Sequence, residues 1–373
     1  MIKVLSVFGT RPEAAKMAPL LAALKDCPDI ESKTAVTAQH RSQLDQVLNI
    51  FGISPDYDLD IMRPRQTLAD ITSKALKGIE DVIKIENPDI VLVHGDTTTT
   101  LAASLAAYYC RKALGHVEAG LRTYDKYQPF PEEINRRLTG AIADLNFAPT
   151  ETSKKNLIKE NISEHTIFVT GNTAIDCMRF TIKPGYRFCE PVLNRLDFSK
   201  RLLVMTAHRR ENLGQPLVNI CNAVRRLLND FEDVALVYAV HLNPAVRETV
   251  FPILSGCPRV YLTDPLNIED LHNLMNRSYM VLTDSGGLQE EAPSMGKPVL
   301  VLRNVTERPE AVEAGTAELA GVEEESVYSS ARILLTDTVK YSRMAQAKNP
   351  FGDGHASERI RDAILDFFRI KLF

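Results

Sequence analysis

No stretch of the chain approaches the roughly 18 consecutive apolar residues that a membrane span needs, so a membrane protein is not expected. Runs of lysine or arginine are also missing, and a net charge of −4 gives nucleic acid no electrostatic partner. The six cysteines, at 27, 110, 177, 189, 221 and 257, contain no CxxC pair and lack the density of a disulfide scaffold. No His/Cys/Asp cluster has metal-ligand spacing, so no required metal is expected. The turn after the first apolar run, Phe8-Gly9-Thr10-Arg11-Pro12-Glu13, is not GxGxxG, and the dinucleotide fingerprint is therefore absent. A later glycine-rich turn lacks the Walker Lys-Ser/Thr, which argues against ATP hydrolysis. Low-complexity segments and short-period repeats are not seen. Residues Ile2 to Phe8 read as a strand rather than a charged leader, so a reduced, cytoplasmic enzyme is the expectation.

What is present is a soluble-type composition, 45% hydrophobic and 25% charged, over 373 residues, enough for two domains. Short apolar runs alternate with amphipathic helical segments. Strands are expected at Lys3–Phe8, Lys33–Thr37, Ile90–His94, Gly115–Glu118, Leu145–Ala148 and Ile167–Thr170. A second set falls at Leu202–Thr206, Ala235–Ala239, Val260–Leu262, Met280–Thr283 and Pro298–Leu302, with a weaker one near Glu318–Ala320. Segments such as Leu68–Ile85 and Pro216–Asn229 carry apolar residues at three- and four-residue spacing. Alternation of this kind predicts an α/β protein with parallel sheets covered on both faces. Periodicity fades around Lys183 to Ser199, where Pro184-Gly185 and Pro191 fall, and the inter-domain connection is placed there. The expected domains are 1–182 and 183–355, with a last helix over 356–373 crossing back onto the first. Two such domains facing each other make a cleft suited to a ligand bearing a diphosphate and a sugar.

Carboxylates follow several of the first-half strands. Ile90 to His94 runs into Gly95-Asp96, and Thr97 to Thr100 open the next helix. Leu114 to Val117 runs into Glu118, while Phe130-Pro131-Glu132-Glu133 begins a helix with two more acids. Each also suits a helix N-terminus, but three together at strand ends suggest general acid/base chemistry. Arg11 and Lys16, in the first turn after the first strand, are positioned to meet a phosphate. In the second half, Thr283-Asp284-Ser285-Gly286-Gly287 leads from a strand into a helix, and the backbone amides of Ser285, Gly286 and Gly287 suit a phosphate. Glu291, one turn on, is spaced to take two ribose hydroxyls. Thr206-Ala207-His208-Arg209 follows another strand: His208 either donates to a phosphate or moves a proton, and Arg209 supplies charge. His241 is a weaker parallel, and Arg308 is a second candidate diphosphate contact.

The ordered motifs FGTRPEAAKMAP, TAQHR, HGDTTTT, GHVEAGLRT, PEEINRRLT, GNTAID, AHRREN, TDSGGLQEEAPSMGKP and TERPEA resemble those of the non-hydrolysing UDP-N-acetylglucosamine 2-epimerases, from Lys3 to Gly354. The resemblance implies two Rossmann-like domains facing a cleft, of the glycosyltransferase-B type. The first would hold the catalytic carboxylates and the second would bind UDP, usually in a cytoplasmic homodimer. It implies reversible conversion of UDP-GlcNAc to UDP-ManNAc for surface polysaccharide, with no cofactor. The family's acid/base residues match Asp96, Glu118 and Glu132, with His208 near the diphosphate. Its nucleotide contacts match Arg11, Lys16, Ser285, Gly286, Gly287, Glu291 and Arg308. A regulatory second UDP-GlcNAc is implied, with contacts matching Gln39, Arg65, Glu132, Arg209 and His241. The chain departs at two positions: Leu271 stands where relatives often have a Phe beside the uracil, and Ser42 where some have a Gln in the regulatory site.

The C2 proton of the sugar has no adjacent carbonyl carbon, so direct abstraction is costly. Expulsion of UDP with loss of that proton, through 2-acetamidoglucal, avoids a free carbanion, and protonation of the other face needs a second acid/base group. The alternatives are a hydrolysing epimerase that releases ManNAc and UDP, a glycosyltransferase with an acceptor pocket, and a non-catalytic nucleotide-sugar sensor.

Overall fold

The computed structural model describes residues 1–38, 41–63 and 65–371. The chain forms two units, Met1–Phe180 with Phe351–Phe373, and Thr181–Pro350. No helix among the described residues is long and apolar enough to cross a membrane.

Among the described residues, the first unit is built on seven strands: β1 (Ile2–Phe8), β2 (Ile30–Val36), β3 (Tyr57–Asp58), β4 (Ile90–His94), β5 (Ala113–Val117), β6 (Leu145–Ala148) and β7 (Ile167–Val169). Their order is β3-β2-β1-β4-β5-β6-β7, and the pairings are parallel. The order reverses between β1 and β4, the place in such a sheet where ligands gather beyond the strand ends. Leu5, Val7, Val91 and Val93 from these two strands pack with Ile79, Val82 and Ala103 from the helices Leu68–Glu86 and Thr98–Tyr109. Burial of each such aliphatic side chain contributes about 1.5–3 kcal/mol, which fixes the two central strands and hence the loops at their ends.

Local signals set the helix limits. Thr67 caps Leu68–Glu86 by accepting from the Asp70 N–H, Asp70 accepts in return from Thr67, and Asn87 ends the helix in a left-handed conformation. Thr97 caps Thr98–Tyr109 through the Thr100 N–H at 3.1 Å. The two-residue strand β3 is too short to show any alternation in sequence. It forms because Asp56 exchanges main-chain and side-chain hydrogen bonds with Thr34, at 2.9 and 2.8 Å.

The second unit repeats the plan with β8 (Arg201–Thr206), β9 (Val234–Ala239), β10 (Val260–Thr263), β11 (Met280–Thr283), β12 (Val299–Val301) and β13 (Ala317–Leu319). The parallel order is β10-β9-β8-β11-β12-β13, reversing between β8 and β11. Its core joins Leu203, Met205, Leu236 and Tyr238 to Ile220, Val224 and Leu227 of helix Gln215–Asp230.

The chain crosses between units at Phe180/Thr181 and at Pro350/Phe351, a few residues before the junctions expected at 182/183, where periodicity fades, and at 355/356, before the last helix. The segment read as a connection is pinned to the second unit by one buried carboxylate. Asp270 accepts from the Tyr186 hydroxyl and from the main-chain N–H groups of Cys189 and Glu190, each at 2.9 Å. On the return, the Phe351 carbonyl accepts from the Asn172 N–H at 2.7 Å. The last helix, Ala356–Lys371, then packs on helix Arg11–Lys25 with Ile360 and Ile364 buried.

Candidate active-site residues in each unit

In the first unit, the ends of β1, β4, β5 and β7 bring four polar groups together. Lys16 forms a direct ion pair with Glu118, and Asn172 donates to the same carboxylate oxygen at 2.8 Å. His94, at the last position of β4, lies with Nε2 4.0 Å from that oxygen. Glu118 takes up a left-handed backbone conformation, φ 63°, immediately after β5. Such a conformation costs a non-glycine residue on the order of 1–3 kcal/mol, and it aims the side chain at its partners. Burial holds the His94 imidazole neutral, its pKa lowered to about 4. Lys16, expected at a phosphate, thus sits against an acid.

Asp96 follows two residues after His94. Burial raises its pKa to about 6; Arg136 opposes that rise, while Glu118 and Glu132 add to it. The Arg136 guanidinium is 3.3 Å from Asp96, and Asn135 donates to the Asp96 main-chain carbonyl at 2.9 Å. Of the paired acids in helix Glu132–Ile142, Glu133 is the buried brace: it accepts from the main-chain N–H groups of Thr123 and Tyr124 and pairs with Arg136. Glu132 keeps one buried oxygen, Oε2, with no hydrogen-bond partner. Three carboxylates of unequal environment therefore interact within one unit, an arrangement able to keep one acid protonated while another is ionised.

Gly9 has a packing role. A Cβ there would lie 2.1 Å from Thr37 Oγ1 and 2.7 Å from Thr99 Oγ1, so only glycine lets the loop pass. Its N–H and that of Thr10 donate to Glu13, whose other oxygen accepts from Thr97 and Thr100. The Thr-rich opening of one helix thereby holds the first turn of another. Arg11 begins that turn, half-buried, and forms no ion pair among the described residues.

In the second unit, Asp284 organises the ends of β8 and β11. Fully buried, it accepts with Oδ2 from the main-chain N–H groups of His208 and Arg209, both at 2.7 Å, and from Asn212 at 3.0 Å. His208 stacks on His241, ring centroids 5.0 Å apart and planes 10° from parallel. Burial lowers the His208 pKa, against the pull of Asp284. Arg308 is locked by an ion pair to buried Glu290 and donates to the Glu307 carbonyl at 3.1 Å. A Cβ at Gly286 would stand 3.6 Å from the Arg308 guanidinium, so this turn lies directly against that cation. The helix begun at Gly286 is six residues long and passes into a 3-10 turn at Ala292–Met295. Ser285 precedes it, Glu291 ends it, and half-buried Leu271 lies on helix Ile268–Asn276. Arg209 lies 3.9 Å from Glu307.

Arg65 is exposed, with φ 57°, on the loop before helix Leu68–Glu86. Gln39 and the side chain of Ser42 lie outside the described residues. Sequence reasoning missed His94, Asn172, Glu133, Arg136, Asp284 and Glu290 as individual contributors. Each sits inside a motif that it did single out; Glu133, Asp284 and Glu290 adjoin a residue it chose, whereas His94, Asn172 and Arg136 do not.

The sequence model of the family described as UDP-N-acetylglucosamine 2-epimerase matches residues 22–365. UDP-N-acetylglucosamine 2-epimerase of Bacillus subtilis strain 168 is 59% identical over 364 residues, covering 98% of this chain and 95% of its own. The S. aureus MnaA–UDP structure has a TM-score of 0.89 at 50% identity, covering 99% of this chain and 97% of that one. The Neisseria meningitidis UDP-GlcNAc 2-epimerase bound to UDP-GlcNAc has a TM-score of 0.88 at 47% identity, covering 98% of this chain and 100% of that one.

Proposed function

Because the chain belongs to the UDP-N-acetylglucosamine 2-epimerase family, we propose that it is a non-hydrolysing member, converting UDP-GlcNAc reversibly to UDP-ManNAc. The observation that carries this reading is Asp96, with its pKa raised to about 6 by burial and held in the electrostatic field of Glu118, Glu132 and Arg136. A carboxyl poised near neutrality among other carboxylates can give and take protons within one turnover.

In the forward step one carboxylate removes the C2 proton, the C2–H electron pair forms the C1=C2 double bond, and the C1–O bond breaks onto the departing UDP. The products are 2-acetamidoglucal and UDP. Return of UDP to C1 with protonation at C2 from the opposite face gives the epimer. Two faces require two proton-handling groups, which the Asp96, Glu118 and Glu132 set supplies. Lys16 pairs directly with Glu118.

In the second unit, Arg308 and the Ser285, Gly286 and Gly287 backbone would take the diphosphate, with His208 beside it and Glu291 on the ribose. Arg11 would contact the nucleotide from the first unit, and Leu271 would give the uracil an apolar contact. Both strand-end sets would act on one nucleotide sugar, in a cytoplasmic homodimer. Arg65, Arg209 and His241, with Gln39, Ser42 and Glu132, would hold a second UDP-GlcNAc that favours the active arrangement.

Proton NMR of the enzyme with UDP-GlcNAc in heavy water tests this reading. A mixture of UDP-GlcNAc and UDP-ManNAc carrying deuterium at C2 is expected. Free ManNAc and UDP as main products would support the hydrolysing reading instead.

A further inference from the structure

His272 is buried at 1% exposure, and both of its ring nitrogens are engaged. Nε2 lies 3.3 Å from Glu291 Oε2, and Nδ1 lies 2.7 Å from the Thr181 hydroxyl. A carboxylate only accepts, so Nε2 carries the hydrogen of that contact. The hydroxyl suits Nδ1 in either protonation state, because it both donates and accepts. The neighbouring Asn273 donates from its amide to the Thr181 carbonyl at 2.7 Å. Two successive side chains of helix Ile268–Asn276 are thereby fastened to one residue, and the imidazole has a single orientation.

That orientation fixes one oxygen of Glu291 and leaves the other pointing elsewhere. A Cβ built on Gly287 would lie 3.7 Å from Glu291 Oε1, so the second oxygen faces the Ser285-Gly286-Gly287 turn. The carboxylate is partly exposed, at 18% of its side-chain surface. A carboxylate has about four lone-pair sites, and His272 occupies one of them. The rest remain for two adjacent hydroxyl groups held near the turn.

We propose that His272 is a positioning residue that sets the Glu291 carboxylate for a vicinal diol, the ribose of the nucleotide. The proposal rests on the reading that Glu291 binds that ribose. Without the imidazole, Glu291 would rotate among staggered rotamers, and the diol would have to select one of them.

The test compares binding of UDP and of 2′,3′-dideoxy-UDP by calorimetry in wild type, His272→Phe, His272→Gln, Thr181→Val and Glu291→Gln. Loss of a hydrogen bond to a charged group predicts about tenfold weaker UDP binding in His272→Phe. Binding of dideoxy-UDP should be unchanged, KM should rise in parallel and kcat should be retained. His272→Gln, which restores a donor, should recover most of the affinity, and Thr181→Val should show a smaller loss of the same selective kind. Equal weakening of both nucleotides in these variants, or of neither, overturns the positioning role. If Glu291→Gln leaves the wild-type preference for UDP over dideoxy-UDP unchanged, the ribose reading of Glu291 is what has failed. Should His272→Phe not fold, Thr181→Val and His272→Gln carry the same comparison.

Discussion

Asp284 Oδ2 accepts the His208 main-chain N–H at 2.7 Å, so the carboxylate that follows one strand holds up the loop that follows its neighbour. Because β8 and β11 flank the reversal of strand order, this bond sits where a phosphate-binding loop is needed. Replacing Asp284 by Ala removes the acceptor of three hydrogen bonds in a fully buried position. Roughly 3–5 kcal/mol of stability should be lost, read as a fall in midpoint in urea unfolding. Asp284→Asn should be milder, and should lower the His208 pKa further, because the anion that raises it is gone. NMR titration of the imidazole gives that shift.

Glu118→Gln keeps the shape of the side chain and its contact with Asn172 but ends proton exchange. Turnover should fall by about 10²–10⁴-fold, the usual worth of a positioned acid or base. UDP binding by calorimetry should stay close to wild type. A parallel loss of UDP affinity would show that Glu118 serves binding instead.

Arg308→Ala should act on binding, but also on stability. The substitution takes the guanidinium away from buried Glu290, and breaking a buried pair from one side costs about 3–5 kcal/mol. Arg308→Ala with Glu290→Gln removes the stranded charge as well. The double variant should regain much of the lost thermal stability while UDP binding stays weak. Recovery of both together would mean that Arg308 matters only for folding.

The pH profile of kcat/KM should contain a limb near 6, where Asp96 titrates. Below that pH the group is protonated and above it is a carboxylate. Arg136 favours the ionised form, so Arg136→Gln should move the limb to higher pH. A limb that stays in place would assign it to another group.

The regulatory reading predicts sigmoidal dependence of rate on UDP-GlcNAc, and a reverse reaction from UDP-ManNAc that is slow until some UDP-GlcNAc is added. Linkage energies of this kind correspond to about 5–150-fold changes in affinity. Ser42, shorter than the Gln of some relatives, should weaken the effect without ending it. Hyperbolic curves in both directions, unaltered by Arg65→Ala, would show that no effector site operates.

The sequence by itself determined the class of the fold and the neighbourhoods of the chemistry. Apolar runs such as Ile90–His94 and Met280–Thr283, separated by helical spacing, have no stable outcome except covered parallel sheets. The polar residues just beyond them must then gather at the strand ends. Short contacts with weak local signals were not legible: β3 has two residues, and the segment from Lys183 reads as a linker although Asp270 fastens it. Nor does adjacency distinguish Glu132 from Glu133, or Glu290 from Glu291. One acid of each pair is buried as a brace, Glu133 on Arg136 and Glu290 on Arg308. Only the tertiary structure decides that, because burial and the approach of a cation from a distant segment set a carboxylate's role, and neither is a property of the residue's neighbours in the chain.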